Sequence, residues 1–143
     1  MSQTFEFSTV AELENLKKVR SFINESGNKL GVNSETLGDL CLVVDEAVTN
    51  IILHGYDSQH GTVDIQMSQE GDSVVISIRD KAKSFDVENV TLPHLDTSLA
   101  DREFGGMGVF LIRKIADEAE FLALPGGGNE LRLLKRDAFS DKH

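Results

Sequence analysis

The sequence predicts an α+β sandwich in which helices cover one face of a mostly antiparallel sheet. Three observations predict it. Apolar residues recur at helical spacing through two segments before residue 55. Two later pairs of apolar-rich segments, the first pair alternating apolar with polar residues, flank glycine-bearing turns. The resulting order is strand, two helices, two strands, a long loop, a helix and two strands. No internal repeat or shift of composition divides the chain, so residues 1–143 read as a single domain.

Taken in order, Phe5 and Phe7 flank Glu6, the alternation of a short first strand. Thr9 and Glu12 have capping-box spacing and predict a helix start. Leu13, Leu16, Val19, Phe22 and Ile23 carry that helix to about Asn24, and Gly27 to Asn33 reads as a loop. Ser34 is the expected cap of a second helix, which runs to about His54 through Leu37, Leu40, Cys41, Val44, Ala47, Val48, Ile51 and Ile52. Val63, Ile65 and Met67 alternate with polar residues, Glu70-Gly71-Asp72 makes a turn, and Val74, Ile76 and Ile78 alternate on the return. Lys81 to Glu103 shows no period and contains Pro93; a loop that long in a compact domain is usually functional or mobile. Gly105-Gly106-Met107-Gly108 leads into a third helix with Val109, Leu111, Ile112, Ile115 and Ala116. A last hairpin pairs Phe121–Leu124 with Leu131–Leu134 around Pro125-Gly126-Gly127-Gly128.

Composition narrows the function. Hydrophobic residues make up 40% of the chain, a globular proportion. The 14 Lys and Arg against 24 Asp and Glu leave a net charge of -10. Nucleic acid and anionic membrane surfaces both demand concentrated positive charge, so neither is an expected direct partner. The single cysteine, Cys41, cannot form an internal disulfide and lies in an apolar run, where it reads as a packing residue rather than a nucleophile. The first residues show no basic start and no long apolar run, so no signal peptide is expected and the protein reads as cytoplasmic.

Three places carry chemistry. On the second helix, Glu46, Asn50 and His54 recur every four residues and therefore share a face, with Asp45 and Thr49 beside them. A carboxylate and an amide buried there without partners would be costly, so the stripe faces water, a polar partner or a ligand-filled cleft. Taken alone, it fits a solvated helix face better. The glycines of Gly105-Gly106-Met107-Gly108 stand at a helix start, where close backbone approach and free N–H groups favour phosphate. A flexible hinge would use the same residues. Asp80 ends a strand, where its carboxylate can accept from a base amino group or simply start a turn.

The order and spacing of these weak signals form a recognisable set. Asp45-Glu46-Ala47-Val48-Thr49-Asn50-Ile51-Ile52-Leu53-His54-Gly55-Tyr56 resembles the N box of the GHKL ATPases. Asp80 to Phe85-Asp86 resembles their first glycine box, and Gly105-Gly106-Met107-Gly108 their second. Within the superfamily the chain most resembles the anti-sigma-factor serine kinases of the RsbW and SpoIIAB type, over roughly residues 5–136. The resemblance implies the Bergerat ATP-binding fold, with ATP and Mg²⁺ as cofactors. It implies that Asn50 coordinates the metal and that Glu46 is the general base for an attacking serine hydroxyl. It also implies that Asp80 contacts the adenine amino group, with Ala82 and Phe85 in the same box. Gly105, Gly106, Met107 and Gly108 would line the phosphates, and a lid would span about 81–104. Arg102, close before those glycines, has two readings of equal standing: contact with the β- or γ-phosphate, or a solvated surface charge. The implied partners are a STAS-domain anti-anti-sigma factor, a sigma factor or other regulated target, and a second copy in a homodimer.

Two departures from the family pattern bear on the function. Its first glycine box reads Asp-x-Gly, where this chain has Asp80-Lys81-Ala82, an added methyl near the base. Its last hairpin often holds a threonine near adenine, where this chain has Gly128-Asn129-Glu130, as in another branch of the same kinases. Glu46 and Asn50 are both present, so the leading reading is an ATP-dependent kinase that phosphorylates a STAS-domain antagonist. The alternative is a nucleotide-gated binding module without phosphotransfer, for which Ala82 is the main support. Lys17, Lys18 and Arg20 form the densest basic cluster and are a candidate partner surface, although a solvated helix face accounts for them equally well.

Overall fold

Alternating apolar residues along five segments build one antiparallel sheet, and one face of it is buried. In this computed structural model, which describes residues 3–56, 61–82 and 112–139, the strands are β1 (Thr4–Val10), β2 (Thr62–Glu70), β3 (Ser73–Asp80), β4 (Glu118–Ala123) and β5 (Asn129–Lys135). Their order across the sheet is β1-β2-β3-β5-β4, and every neighbouring pair is antiparallel. Val63, Ile65 and Met67 of β2 lie opposite Asp80, Ile78 and Ile76 of β3, which in turn face Asn129, Leu131 and Leu133 of β5. Because side chains alternate across a strand, these residues share one face. The apolar ones are buried with Val19 and Ile23 and with Leu40, Val44, Ala47 and Val48 of the two helices. The opposite face carries polar pairs beside the apolar pair Val75 and Leu134: Ser77 Oγ donates to Glu130 at 2.6 Å, and Gln66 Nε2 donates to Glu6 at 2.9 Å. The α+β sandwich with helices on one face is therefore what the chain adopts.

The helices are α1 (Leu16–Leu30), entered through a 3₁₀ turn at Leu13–Asn15, and α2 (Ser34–Asn50). Three sequence expectations about them need correction. Thr9 does not start a helix; it lies within β1 opposite Val63, because β1 runs through Val10. The helix does not stop near Asn24, and Gly27 belongs to it rather than to a loop. Gly27 is buried where α1 meets α2, and a Cβ there would lie 2.4 Å from Leu37 Cδ1. Glycine thus serves helix packing, and the true stop is Gly31 at φ 93, the left-handed conformation glycine tolerates. Nor is Ser34 the cap of α2. Asn33 takes that position, its side-chain oxygen accepting from Thr36 N at 2.8 Å.

Asn33 also ties the helix to the far end of the chain. Its Nδ2 donates to Ala138 O at 2.9 Å, and its backbone N donates to the same carbonyl at 2.8 Å. After Asn50 the helix does not simply continue. Ile51–Gly55 forms a π-helical turn, closed by Tyr56 N donating to Ile51 O at 2.8 Å. Of the predicted third helix, Ile112–Ile115 is helical, whereas Val109 and Leu111 lie outside the described residues. Among the described residues no helix is long and apolar enough to cross a membrane.

Replacing Asn33 by Ala removes the cap and the side-chain bond to Ala138 together. The expected loss is about 1–2 kcal/mol, the upper part of the range for a helix N-cap, and denaturant unfolding of the variant checks it.

Candidate functional site

One side of α2 is buried and the other meets water; Glu46 and Asn50 lie along the boundary, both half-buried. Leu40, Val43, Val44, Ala47 and Val48 hold the buried side in the core. Neighbouring polar residues on the helix are engaged. Thr49 Oγ donates to the Asp45 carbonyl at 2.7 Å, and Asp45 Oδ1 accepts from Arg20 Nη1 at 2.6 Å. Glu46 and Asn50 have no hydrogen-bond or ion-pair partner among the described residues. Two polar side chains one turn apart are thus held on a rigid helix with no side-chain bond to any other described residue. The Arg20–Asp45 pair ties α1 to α2, so Arg20 does not stand as a free member of the basic cluster with Lys17 and Lys18.

At the end of β3 the sheet carries a buried carboxylate. Asp80 is 5% exposed, on the apolar face, between Val63 and Asn129 in register. Its Oδ1 accepts from Asn129 Nδ2 at 3.0 Å and from the backbone N of Ala82 at 2.9 Å. Side chain to backbone two residues on is an Asx-turn, which bends the chain out of the strand. Both bonds fall on the same oxygen, leaving Oδ2 with none among the described residues. Burial raises the Asp80 pKa above its ordinary value, while the bonds from Asn129 and Ala82 work the other way.

Two further residues, quoted in the sequence motifs without any expected contact to Asp80, support this carboxylate. Tyr56 leaves the π turn with its hydroxyl donating to Thr62 O and accepting from Lys81 N, each at 2.7 Å. Gly128 adopts φ +96, and a Cβ on it would stand 2.3 Å from Asp80 O. The positive φ and the close approach together require glycine there. The three consecutive glycines before Asn129 gave a sequence signal for a turn, but not for contact with Asp80. Cys41 matches the packing reading: it is half-buried, burial raises its pKa, and its Sγ lies 3.5 Å from Asn24 Oδ1. Phe85, Arg102, Gly105, Gly106, Met107 and Gly108 lie outside the described residues, as does most of the expected lid.

The described residues contain no group of three or more His, Cys, Asp or Glu placed to hold a metal ion. A magnesium ion, were one bound, would need only one protein oxygen, and Asn50 Oδ1 would be the donor to hold it.

Residues 9–135 match the histidine kinase-like ATPase domain family. The chain belongs to this family. An anti-sigma F factor from a Thermoanaerobacter strain is 31% identical over 137 residues, spanning 91% of this chain and 95% of that one. One from Bacillus subtilis is 33% identical over 134 residues, 91% and 88% of the two chains. A serine-protein kinase RsbW from Halalkalibacterium halodurans is 31% identical over 122 residues, 82% and 75%. The crystal structure of the RsbU and RsbW domains of a Mycobacterium tuberculosis protein shares the fold, with a TM-score of 0.67 at 19% identity. That match covers 94% of this chain and 32% of the other.

Within a histidine kinase-like ATPase domain, the two departures noted in the sequence have structural explanations. Ala82 is 4% exposed and donates its N–H to Asp80. Asp137 is the one non-glycine residue at positive φ among those described, so the backbone at Ala82 does not demand glycine. Asn129 places an amide donor directly opposite Asp80.

The raised Asp80 pKa has a consequence for stability. Below the ordinary carboxylate value of about 3.9, Asp80 is neutral in both folded and unfolded chains, and its favourable contribution is complete. That contribution is lost as pH rises through the higher folded pKa, where a buried charge must form. The stability of the wild type relative to Asp80→Asn should therefore fall between acid and neutral pH. Urea unfolding of both proteins across that range measures it.

Proposed function

We infer that the protein is an ATP-dependent serine kinase of the anti-sigma type. It binds Mg-ATP along the boundary of α2 and transfers the γ-phosphoryl group to a serine of a small STAS-domain antagonist. Between transfers it sequesters a sigma factor or another regulated target, acting as a homodimer. The observation that carries the reading is the pair Glu46 and Asn50, a carboxylate and a carboxamide side by side on a half-buried helix boundary with no described partner. The family and the names of the relatives, anti-sigma F factor and serine-protein kinase, support it.

Each residue then has one task. Asp80 accepts a hydrogen bond from the exocyclic amino group of adenine. Asn50 offers its carbonyl to Mg²⁺, which when bound supplies charge neutralisation for the phosphates. Glu46 takes the proton of the attacking serine hydroxyl as the serine oxygen–phosphorus bond forms. The bond from phosphorus to the bridging oxygen breaks, and ADP leaves with that oxygen. The new phosphate on the antagonist adds charge at the contact with the kinase and weakens it. The cell interior, where ATP and sigma factors are found, is the compartment this reading requires.

The first test is calorimetry of Mg-ATP and Mg-ADP on the wild type and Asp80→Asn. Micromolar-range binding, roughly -8 kcal/mol, that depends on Mg²⁺ and weakens in the variant is expected. Glu46→Ala should retain ATP binding while phosphotransfer to a co-encoded STAS-domain protein falls by about 10²- to 10⁴-fold, the usual share of a general base. Ala82, whose buried methyl stands where the family has glycine, favours one other reading: a module that holds its partner under nucleotide control without phosphotransfer. A wild type that binds ATP but phosphorylates no such protein would establish that reading instead.

A further inference from the structure

The link between α2 and Asp80 runs through one side chain. Lys81 is the first residue beyond the β3 ladder, whose last paired residue is Asp80, opposite Val63 and Asn129. Its N–H therefore has no strand partner. A backbone donor in that position must find another acceptor, and it finds the Tyr56 hydroxyl at 2.7 Å. The same hydroxyl donates to Thr62 O at 2.7 Å, at the start of β2. Tyr56 itself closes the π turn that extends α2, through its backbone N on Ile51 O. One phenol thus joins the end of the Glu46–Asn50 helix to two adjacent strands. Local room has been made for it: a Cβ on Gly61 would lie 2.2 Å from the Tyr56 ring.

The bond to Lys81 N matters because of what shares its peptide plane. The Asp80 Cα and carbonyl belong to the same rigid unit as the Lys81 N–H. Tyr56 holds that unit through the N–H, and Gly128 presses close to its carbonyl oxygen. Lys81 is also the middle residue of the Asx-turn in which Asp80 Oδ1 accepts from Ala82 N at 2.9 Å. A turn of the Asp80–Lys81 peptide would break that bond and re-aim the carboxylate.

We propose that Tyr56 is a positioning residue for base recognition: its hydroxyl fixes the Asp80–Lys81 peptide, so that Asp80 Oδ2, which has no bond among the described residues, faces the amino group of the nucleotide base. This rests on the nucleotide reading above. It extends it by assigning base selectivity to a residue that does not touch the base, and by joining the base end of the site mechanically to the helix that carries Glu46 and Asn50.

The test compares Mg-ATP with Mg-ITP, which carries an acceptor oxygen in place of the amino group. Both are titrated by calorimetry into the wild type and Tyr56→Phe, with hydrogen exchange of the Lys81 amide followed by NMR. The expected result is a wild type that prefers ATP. In Tyr56→Phe that preference should shrink by roughly 3- to 10-fold, the equivalent of one hydrogen bond, with faster Lys81 exchange. A merely structural role would weaken ATP and ITP alike, so an unchanged ratio in a folded variant overturns the proposal. Should the variant not fold, the wild type still decides. A Lys81 amide that exchanges as fast as an exposed one overturns the proposal; protection that is greater with ATP than with ITP supports it. A wild type that binds neither nucleotide overturns the nucleotide reading itself, and this inference with it.

Discussion

Burial of one side of α2 against the apolar face of the sheet is the constraint on which the rest of the structure depends. Leu40, Val44, Ala47 and Val48 enter the same core as Ile65, Met67, Ile76, Ile78 and Leu133. Removing that much apolar surface from water is the dominant favourable contribution in a domain of this size. It fixes the rotation of the helix, because the side chains cannot leave the core without exposing it. With the rotation set, Glu46 and Asn50 have no choice of environment. They fall on the boundary between core and solvent, close enough to the interior to be held still and without a side-chain partner among the described residues.

The same core sets the opposite end of the site, by a less favourable route. Strand alternation that turns Ile76 and Ile78 inward also turns Asp80 inward. A buried carboxylate is unfavourable unless it is bonded, and the chain answers with Asn129, the Ala82 amide and the left-handed backbone of Gly128. Such an arrangement is hard to explain as a contribution to stability alone. An apolar residue at the same place would join the core without needing partners. The ligand-directed role proposed above would give the carboxylate a reason to be there, and the bonding of Oδ1 alone among the described residues would give that role a geometry.

How much of this was legible beforehand depended on the range of the interaction. The β2–β3 hairpin and the polar stripe of α2 were readable because each is a local period, two residues in one case and close to four in the other. The helix boundaries were misread wherever a local signal was outvoted by a distant contact. Thr9 has the spacing of a cap, yet β2 claims it as a strand residue. Gly27 reads as a breaker, yet Leu37 needs the space that its missing side chain leaves. Ser34 and Asn33 are both good caps by type, and the tie to Ala138 accompanies the choice of Asn33. Arg20 looks like a surface charge in a basic cluster until α2 brings Asp45 to it.

By itself the sequence determined the order of the elements, the periodic faces and the motif set that marks a histidine kinase-like ATPase domain. These depend on residue type at short separations, where the geometry of a helix or strand is known in advance. Only the tertiary structure decided how the two ends of the site are joined. Tyr56 and Lys81 stand 25 residues apart, and Asp80 and Asn129 stand 49 apart. No local rule connects them. Their hydrogen bonds exist because the sheet closes in one register and α2 ends beside it, and a register is a property of the whole packed core rather than of any one segment.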